Sequence, residues 1–208
     1  TPSNSSNALR MNGMSETVSA NSDLSKTSGH WASRPWATAI VFKSDGNNSN
    51  QHIWNSGEGA GSTDDNIYLR TDQFGALYFG WRRDSEKNEY LIATNLGSGS
   101  WYGVYIGHKG QRFDSADATA ANLASAFDIR LMFDGGSGSG WIFNPNPTSP
   151  PGSGTWTTTG ATMDRTVEGD FTIGGRGSNR SFHGKVASMV ITTLRRNYAM
   201  PTAAEIEL

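Results

Sequence analysis

The chain has 208 residues and a formal net charge of −2, with 35% hydrophobic, 11% aromatic and 17% charged residues, 25 glycines and no cysteine. Low charge with many aromatics excludes a disordered chain. Lysine and arginine are scattered, giving no basic stripe for a nucleic-acid backbone, and the missing cysteines exclude a disulfide scaffold and any thiolate metal site.

No run approaches the roughly eighteen apolar residues of a membrane span, so no membrane insertion is expected. The first residues, TPSNSSNALRMNG, have neither a basic start nor an apolar centre, so no signal peptide is visible. The length suits one all-β sandwich domain over 1–208.

In chain order, Asn7 to Ala20 predicts two short strands around the Asn12-Gly13 turn signal. Asn21 to Arg34 is polar and loop-like, with Trp31 inside it. Pro35 then releases WATAIVFKSD, in which Trp36, Thr38, Ile40 and Phe42 share one face. Both faces are apolar, which predicts a central strand. DGNNSN (45–50) is a turn, QHIWNS a strand, and Gly57 to Asp65 a small-residue loop. NIYLRTD and ALYFGWR follow as strands, separated by Gln73-Phe74-Gly75. Arg82 to Glu89 reads as a charged, solvated hairpin tip before the strand YLIAT.

WYGVYIGHKG is a further strand. Ala116 to Ala126 is the one helical segment expected, weakened by its Asn content. FDIRLMFDGGSGSGWIFNP reads as a hairpin, and NPNPTSPPGSG as a proline-rich loop that ends its second strand. Asp170 to Leu194 reads as two strands across a glycine-rich turn. Gly174, Gly175 and Gly177 supply the reversal, and Gly184 marks a bulge or a close backbone approach. About a dozen short strands with almost no helix predict an all-β sandwich or barrel.

These segments resemble the concanavalin A-like lectin/glucanase superfamily, in particular its laminin G-like jelly-roll domains. NALRMNGMSETVSA resembles the first strands, PWATAIVFKSDG the next long strand, and HIWNSGEGAGSTDDNIYLRTDQFGALYFGW the following hairpins. IRLMFDGGSGSGWIFNP is similar to the family's strand, Asp-Gly turn and return strand. DFTIGGRGSNRSFHGKVASMVI resembles the penultimate hairpin, and Pro201 to Leu208 the terminal turn. Two departures stand out: Gln111 to Ser125 has no counterpart, and Phe127 stands near a position where the family often has Trp. The resemblance implies a jelly-roll β-sandwich of two curved antiparallel sheets. It implies no single function, because lectins, glucanases, adhesion modules and virion proteins share the fold.

The glucanases of this superfamily carry Glu-x-Asp-x-x-Glu on one strand, placing carboxylates about 5 Å apart for retaining hydrolysis. The sequence has no such run, so a glycoside hydrolase or lyase is the least favoured reading. Calcium is the one cofactor considered. Asp64, Asp65 and Asn66 beside the glycine-rich loop are its candidate ligands, and Asp45 with Asn47 and Asn48 a weaker set. The plainer and favoured reading is that these residues cap turns. His30, His52, His108 and His183 lack zinc spacing.

For a glycan ligand, Trp31 and Trp156 in polar contexts, Trp81 beside Arg82, and Trp54 at the glycine-rich rim are the candidate stacking residues. Trp36, Trp101 and Trp141 read as core. Arg176, Asn179, Arg180 and His183 decorate the tip of the 170–194 segment and could face a partner. The sequence therefore predicts a non-catalytic, lectin-like surface protein for recognition or assembly. A virion protein of a phage, a capsid decoration or tail adhesin, is the first expectation, with a virion or capsid protein surface as partner. A soluble carbohydrate-binding module, secreted or extracellular and with calcium as its candidate cofactor, is the alternative, and a homo-oligomer is compatible with either.

Overall fold

The computed structural model describes residues 9–12, 18–20, 35–46, 50–57, 65–134, 141–144, 154–163, 171–175 and 180–193. Trp31, Asn47, Asn48, Asp64, Arg176, Asn179 and the 201–208 turn lie outside these residues.

Two antiparallel sheets form the molecule. The seven-stranded sheet comprises β2 (Val18–Ala20), β4 (Gln51–Gly57), β5 (Asn66–Thr71), β6 (Leu77–Arg83), β7 (Glu86–Ala93), β11 (Thr155–Thr158) and β12 (Phe171–Ile173). Its spatial order is β11-β7-β6-β5-β4-β12-β2. The six-stranded sheet comprises β1 (Leu9–Asn12), β3 (Trp36–Ser44), β8 (Trp101–His108), β9 (Phe127–Asp134), β10 (Trp141–Asn144) and β13 (His183–Thr193). Its order is β1-β13-β3-β8-β9-β10. The all-β jelly-roll sandwich expected from the sequence is thus observed.

Two expected hairpins are not hairpins. β1 pairs with β13, whereas β2 pairs with β12, so the chain changes sheet between residues 12 and 18. Likewise β12 pairs with β4 and β2, and β13 with β3 and β1, so the segment 170–194 crosses the sandwich. Gly174 and Gly175, at φ 88° and 123°, start that crossing. Gly184 lies where a Cβ would strike the Lys43 carbonyl oxygen and the Phe182 ring, the close approach that the sequence suggests.

The strands are amphipathic with period two. On β5, Ile67 and Leu69 point inward, and Asn66, Tyr68 and Arg70 point outward. On β6, Leu77, Phe79 and Trp81 point inward, and Tyr78, Gly80 and Arg82 outward. The core between the sheets is rich in aromatic rings. Phe127 sits at its centre, with ring centroids 5.4 Å from Phe79, 5.4 Å from Trp156 and 5.6 Å from Trp81. Burying each such side chain contributes about 1.5–3 kcal/mol.

On β4 a bulge at Ile53 breaks the alternation: His52 pairs with Arg70 and Trp54 with Leu69. Ile53 and Trp54 both join the core, while His52 and Asn55 stay on the outer face.

The helix α1 (Ala120–Ala126) is shorter than the expected 116–126. Its start is set by Thr119, whose hydroxyl accepts from the Asn122 amide at 3.3 Å. The Asp114 carboxylate takes the amides of Ala116 and Asp117 instead, holding them in a turn. The 111–125 insertion closes the core: Phe113 and Leu123 are fully buried, and Thr158 donates to the Ala118 carbonyl at 2.7 Å.

Candidate functional site

The tip expected at Arg82 to Glu89 is instead a tight turn at Asp84-Ser85 between paired strands. Its register sets Gly80 opposite Glu89 and Arg82 opposite Lys87, while Asn66 faces Arg82 and Tyr68 faces Gly80 on the other side. Outward-pointing residues of neighbouring strands thereby form one polar surface. Thr172, Asn55, Tyr68, Gly80, Glu89 and Thr157 make a row across the seven-stranded sheet.

Glu89 organises this surface, and it is 5% exposed rather than solvated. Its Oε1 accepts from the Tyr68 hydroxyl at 2.9 Å and from Arg70 Nε at 2.8 Å; Lys87 Nζ lies 2.8 Å from Oε2. Gly80 makes room for this, since a Cβ there would lie 2.9 Å from Glu89 Cγ. Burial alone would raise the Glu89 pKa, but Arg70 and Lys87 outweigh it and hold the carboxyl below its ordinary range. Burial first and the Glu89 charge second push the Tyr68 hydroxyl far above its ordinary value, so it stays a donor. Arg70 is fixed further by Asn50 Oδ1 at 3.2 Å and by the Tyr78 ring, 4.5 Å below its guanidinium carbon.

Beside this network lies a cavity of about 220 Å³ lined by Asn50, His52, Asn66, Tyr68, Arg70, Arg82, Lys87 and Arg180. Arg180 Nη1 is 3.5 Å from His52 Nε2, and the His52 ring stacks on Tyr68 at 5.3 Å. Four cationic side chains converge here, and the single carboxylate of Glu89 pairs with two of them, Arg70 and Lys87. Burial, then the Arg82 and Arg70 charges, lowers the Arg180 pKa. The strain of gathered like charges is what a bound anion would relieve. These cations come from positions 70, 82, 87 and 180, scattered in sequence and brought together by strand register for the first three and, for Arg180, by the His52 amide donating to its carbonyl at 2.9 Å.

Of the sequence candidates, Arg82, Asn66 and Arg180 line this cavity. Of the tryptophan candidates, Trp31 lies outside the described residues, and Trp54, Trp81 and Trp156 are buried where exposed stacking rings were expected. Trp54 is fully buried, stacked 5.6 Å from Phe171, and Trp81 is 2% exposed with its indole N–H donating to the Ala161 carbonyl at 3.2 Å. Trp156 packs 5.2 Å from Tyr90 inside the core. None of the three presents a ring face to the outer surface, because each lies on the inward phase of its strand. Trp36 is core as expected, whereas Trp101 is half-exposed.

Of the candidate calcium ligands, Asp64 lies outside the described residues, and Asp65 and Asn66 are described. Asp65 Oδ2 is 2.9 Å from Arg83 Nη2, and its Oδ1 accepts from the Asp84 amide at 3.0 Å. A cation at Asp65 would meet the Arg83 guanidinium, and Asn66 turns to the opposite face, so these two residues do not share one ion. Among the described residues, no group of three or more His, Cys, Asp or Glu gathers. No helix among them is long and apolar enough to cross a membrane.

No family model matches the chain, and no curated protein matches it. Solved structures are similar. Mouse laminin α1 chain domains LG4-5 match with a TM-score of 0.50 at 12% identity, over 96% of this chain and 46% of that one. The Ruminococcus gnavus IT-sialidase CBM40 bound to α2,6-sialyllactose matches with a TM-score of 0.49 at 14% identity, over 96% and 95%. A heptameric SAP-like pentraxin from Limulus polyphemus matches with a TM-score of 0.40 at 12% identity, over 79% and 67%. The likeness to the laminin domains shows the shared fold, a concanavalin A-like jelly roll.

Proposed function

We propose that this protein is a non-catalytic binding protein whose seven-stranded sheet presents its outer face to an acidic saccharide. The observation that carries the reading is the crowding of Arg70, Arg82, Lys87 and Arg180 around one small cavity, with the Arg180 pKa lowered by burial first and by its arginine neighbours second. A carboxylate or sulfate would accept charge-assisted hydrogen bonds from these groups. Asn50, Asn66, Tyr68 and His52 supply neutral partners for the hydroxyls beside it. At about 220 Å³ the cavity is smaller than the ~300–1,000 Å³ typical of drug-sized ligands, which suits one charged sugar unit of a longer chain.

A hydrolytic reading is disfavoured by Glu89. A general acid needs a raised pKa, and this carboxyl is held low by Arg70 and Lys87. Display of the face on a virion, rather than by a secreted module, is a separate proposal, decided by mass spectrometry of purified particles.

The test is equilibrium binding to uronate-bearing and sulfated oligosaccharides beside neutral ones of equal length, at low and high salt. Binding confined to the acidic set, weakened by salt and by Arg82→Ala or Arg180→Ala, is expected. Equal binding of neutral chains, or affinity untouched by both variants, would refute it.

A further inference from the structure

The sandwich has an opening at one edge. β10 pairs with β9 only from Leu131 to Asp134, so β9 runs on through residues 127–130 with no strand beside it on that side among the described residues. Across the gap stands β11, the edge strand of the other sheet. A cavity of about 260 Å³ fills this gap, lined by Tyr90, Ala124, Phe127, Asp128, Ile129, Arg130, Gly154 and Trp156. It shares no residue with the cationic cavity.

We infer that this edge cavity is a second binding site and that it takes a neutral, hydroxylated ring, a single pyranose unit. One wall is aromatic: Trp156 and Tyr90, 5.2 Å apart, keep 8% and 6% of their surface accessible, whereas Trp36 and Phe79 deeper in the core keep 1% and 0%. The other wall is the ion pair of Arg130 Nε with Asp128 Oδ1, whose side chains remain 29% and 18% exposed.

An ion pair carries no net charge, so this wall does not select an ionic ligand as the cationic cavity does. It offers donors and acceptors side by side, a match for two neighbouring hydroxyls, while an aromatic ring packs against the C–H face of a sugar. Burial pushes the Tyr90 hydroxyl up to about 12, with Arg130 and Asp128 as the charges it senses, so it too is a donor at neutral pH. The volume admits one ring and little more. Gly154, which has no side chain and whose amide is held by the Leu91 carbonyl at 3.2 Å, lines the cavity as well.

The experiment is a titration of the ¹⁵N-labelled protein with a panel of neutral methyl pyranosides, read by NMR at the Gly154 amide and the Trp156 indole. Saturable shifts at these two groups are expected, with a Kd on the order of 1 mM. Asp128→Ala and Arg130→Ala should each weaken binding about tenfold. Arg82→Ala should leave it unchanged. Should Asp128→Ala fail to fold, Asp128→Asn tests the same contact. Absence of shifts across the panel, shifts confined to the seven-stranded face, or folded Asp128 and Arg130 variants that bind like the parent would each overturn the inference. Failure here leaves acidic-saccharide binding standing, because the two cavities have no residue in common.

Discussion

Replacing Glu89 by Gln keeps the size of the side chain and removes its charge. The buried Arg70 guanidinium, 2.6 Å away, then loses its counter-charge, and Lys87 loses its own. Removing one partner of a buried pair costs about 3–5 kcal/mol. Here the Arg70 side chain keeps 15% exposure and rehydrates in part, and Lys87, at 37%, counts as a surface partner worth under about 1 kcal/mol. The expected loss is therefore near the lower bound, about 3 kcal/mol, or roughly 6–12 °C in Tm for a chain of this length.

Because the folded pKa of Glu89 lies below its unfolded value, its contribution is complete above the ordinary carboxylate range. That contribution is lost as pH falls through the folded value. Urea midpoints of the parent and Glu89→Gln should differ at pH 7 and converge in acid. Equal midpoints at pH 7, or a gap that persists unchanged in acid, would refute the assignment of Glu89 as the charge that holds this face together.

Three further outcomes are expected. Arg180→Ala should weaken acidic-saccharide binding by about tenfold or more, the loss of one hydrogen bond to a charged group, while thermal melting holds or rises as the Arg70 and Arg82 repulsion is relieved. Gly80→Ala should lower stability by about 1–3 kcal/mol in denaturant titration, since its Cβ overlaps the Asn88 carbonyl oxygen and crowds Glu89. Trp81→Phe should cost about 1–2 kcal/mol by the same measurement, less than a cavity mutant, because the Ala161 carbonyl keeps its bond from Asn88 Nδ2 at 2.7 Å.

Strand positions were largely readable from period-two alternation: WATAIVFKSD, NIYLRTD and ALYFGWR fold as β3, β5 and β6. Sheet membership was not, because a glycine turn looks alike whether the chain doubles back within a sheet or steps to the opposite one. That is why β12 and β13 were expected to pair. The site was half legible. The outward set Asn66, Tyr68 and Arg70 is visible beside the inward Ile67 and Leu69, but its meeting with Lys87 depends on strand register, and its meeting with Arg180 on a backbone bond from His52 to a residue far along the chain. The tryptophans misled for a related reason. Trp156 stands between threonines and Trp54 is followed by Asn55 and Ser56, and such neighbours describe a strand's outer phase as well as a loop. β11 itself, TWTT, escaped notice after the proline-rich run.

The extra residue at Ile53 gives β4 two independent phases. From Trp54 onward the strand keeps time with the core, and before it, at His52, with the outer pocket. Side-chain changes at Ile53 would alter packing volume and leave both phases alone. Deleting Ile53 would restore regular pairing and leave His52 opposite Arg70 on the outer face, whereas drawing Ile53 into the ladder at unchanged length would rotate His52 toward the core and detach it from Tyr68 and Arg180. The bulge, more than any one side chain, fixes the phase of the pocket, so deleting Ile53 should cost core packing while His52 keeps its place beside Tyr68, an outcome substitution scanning cannot show.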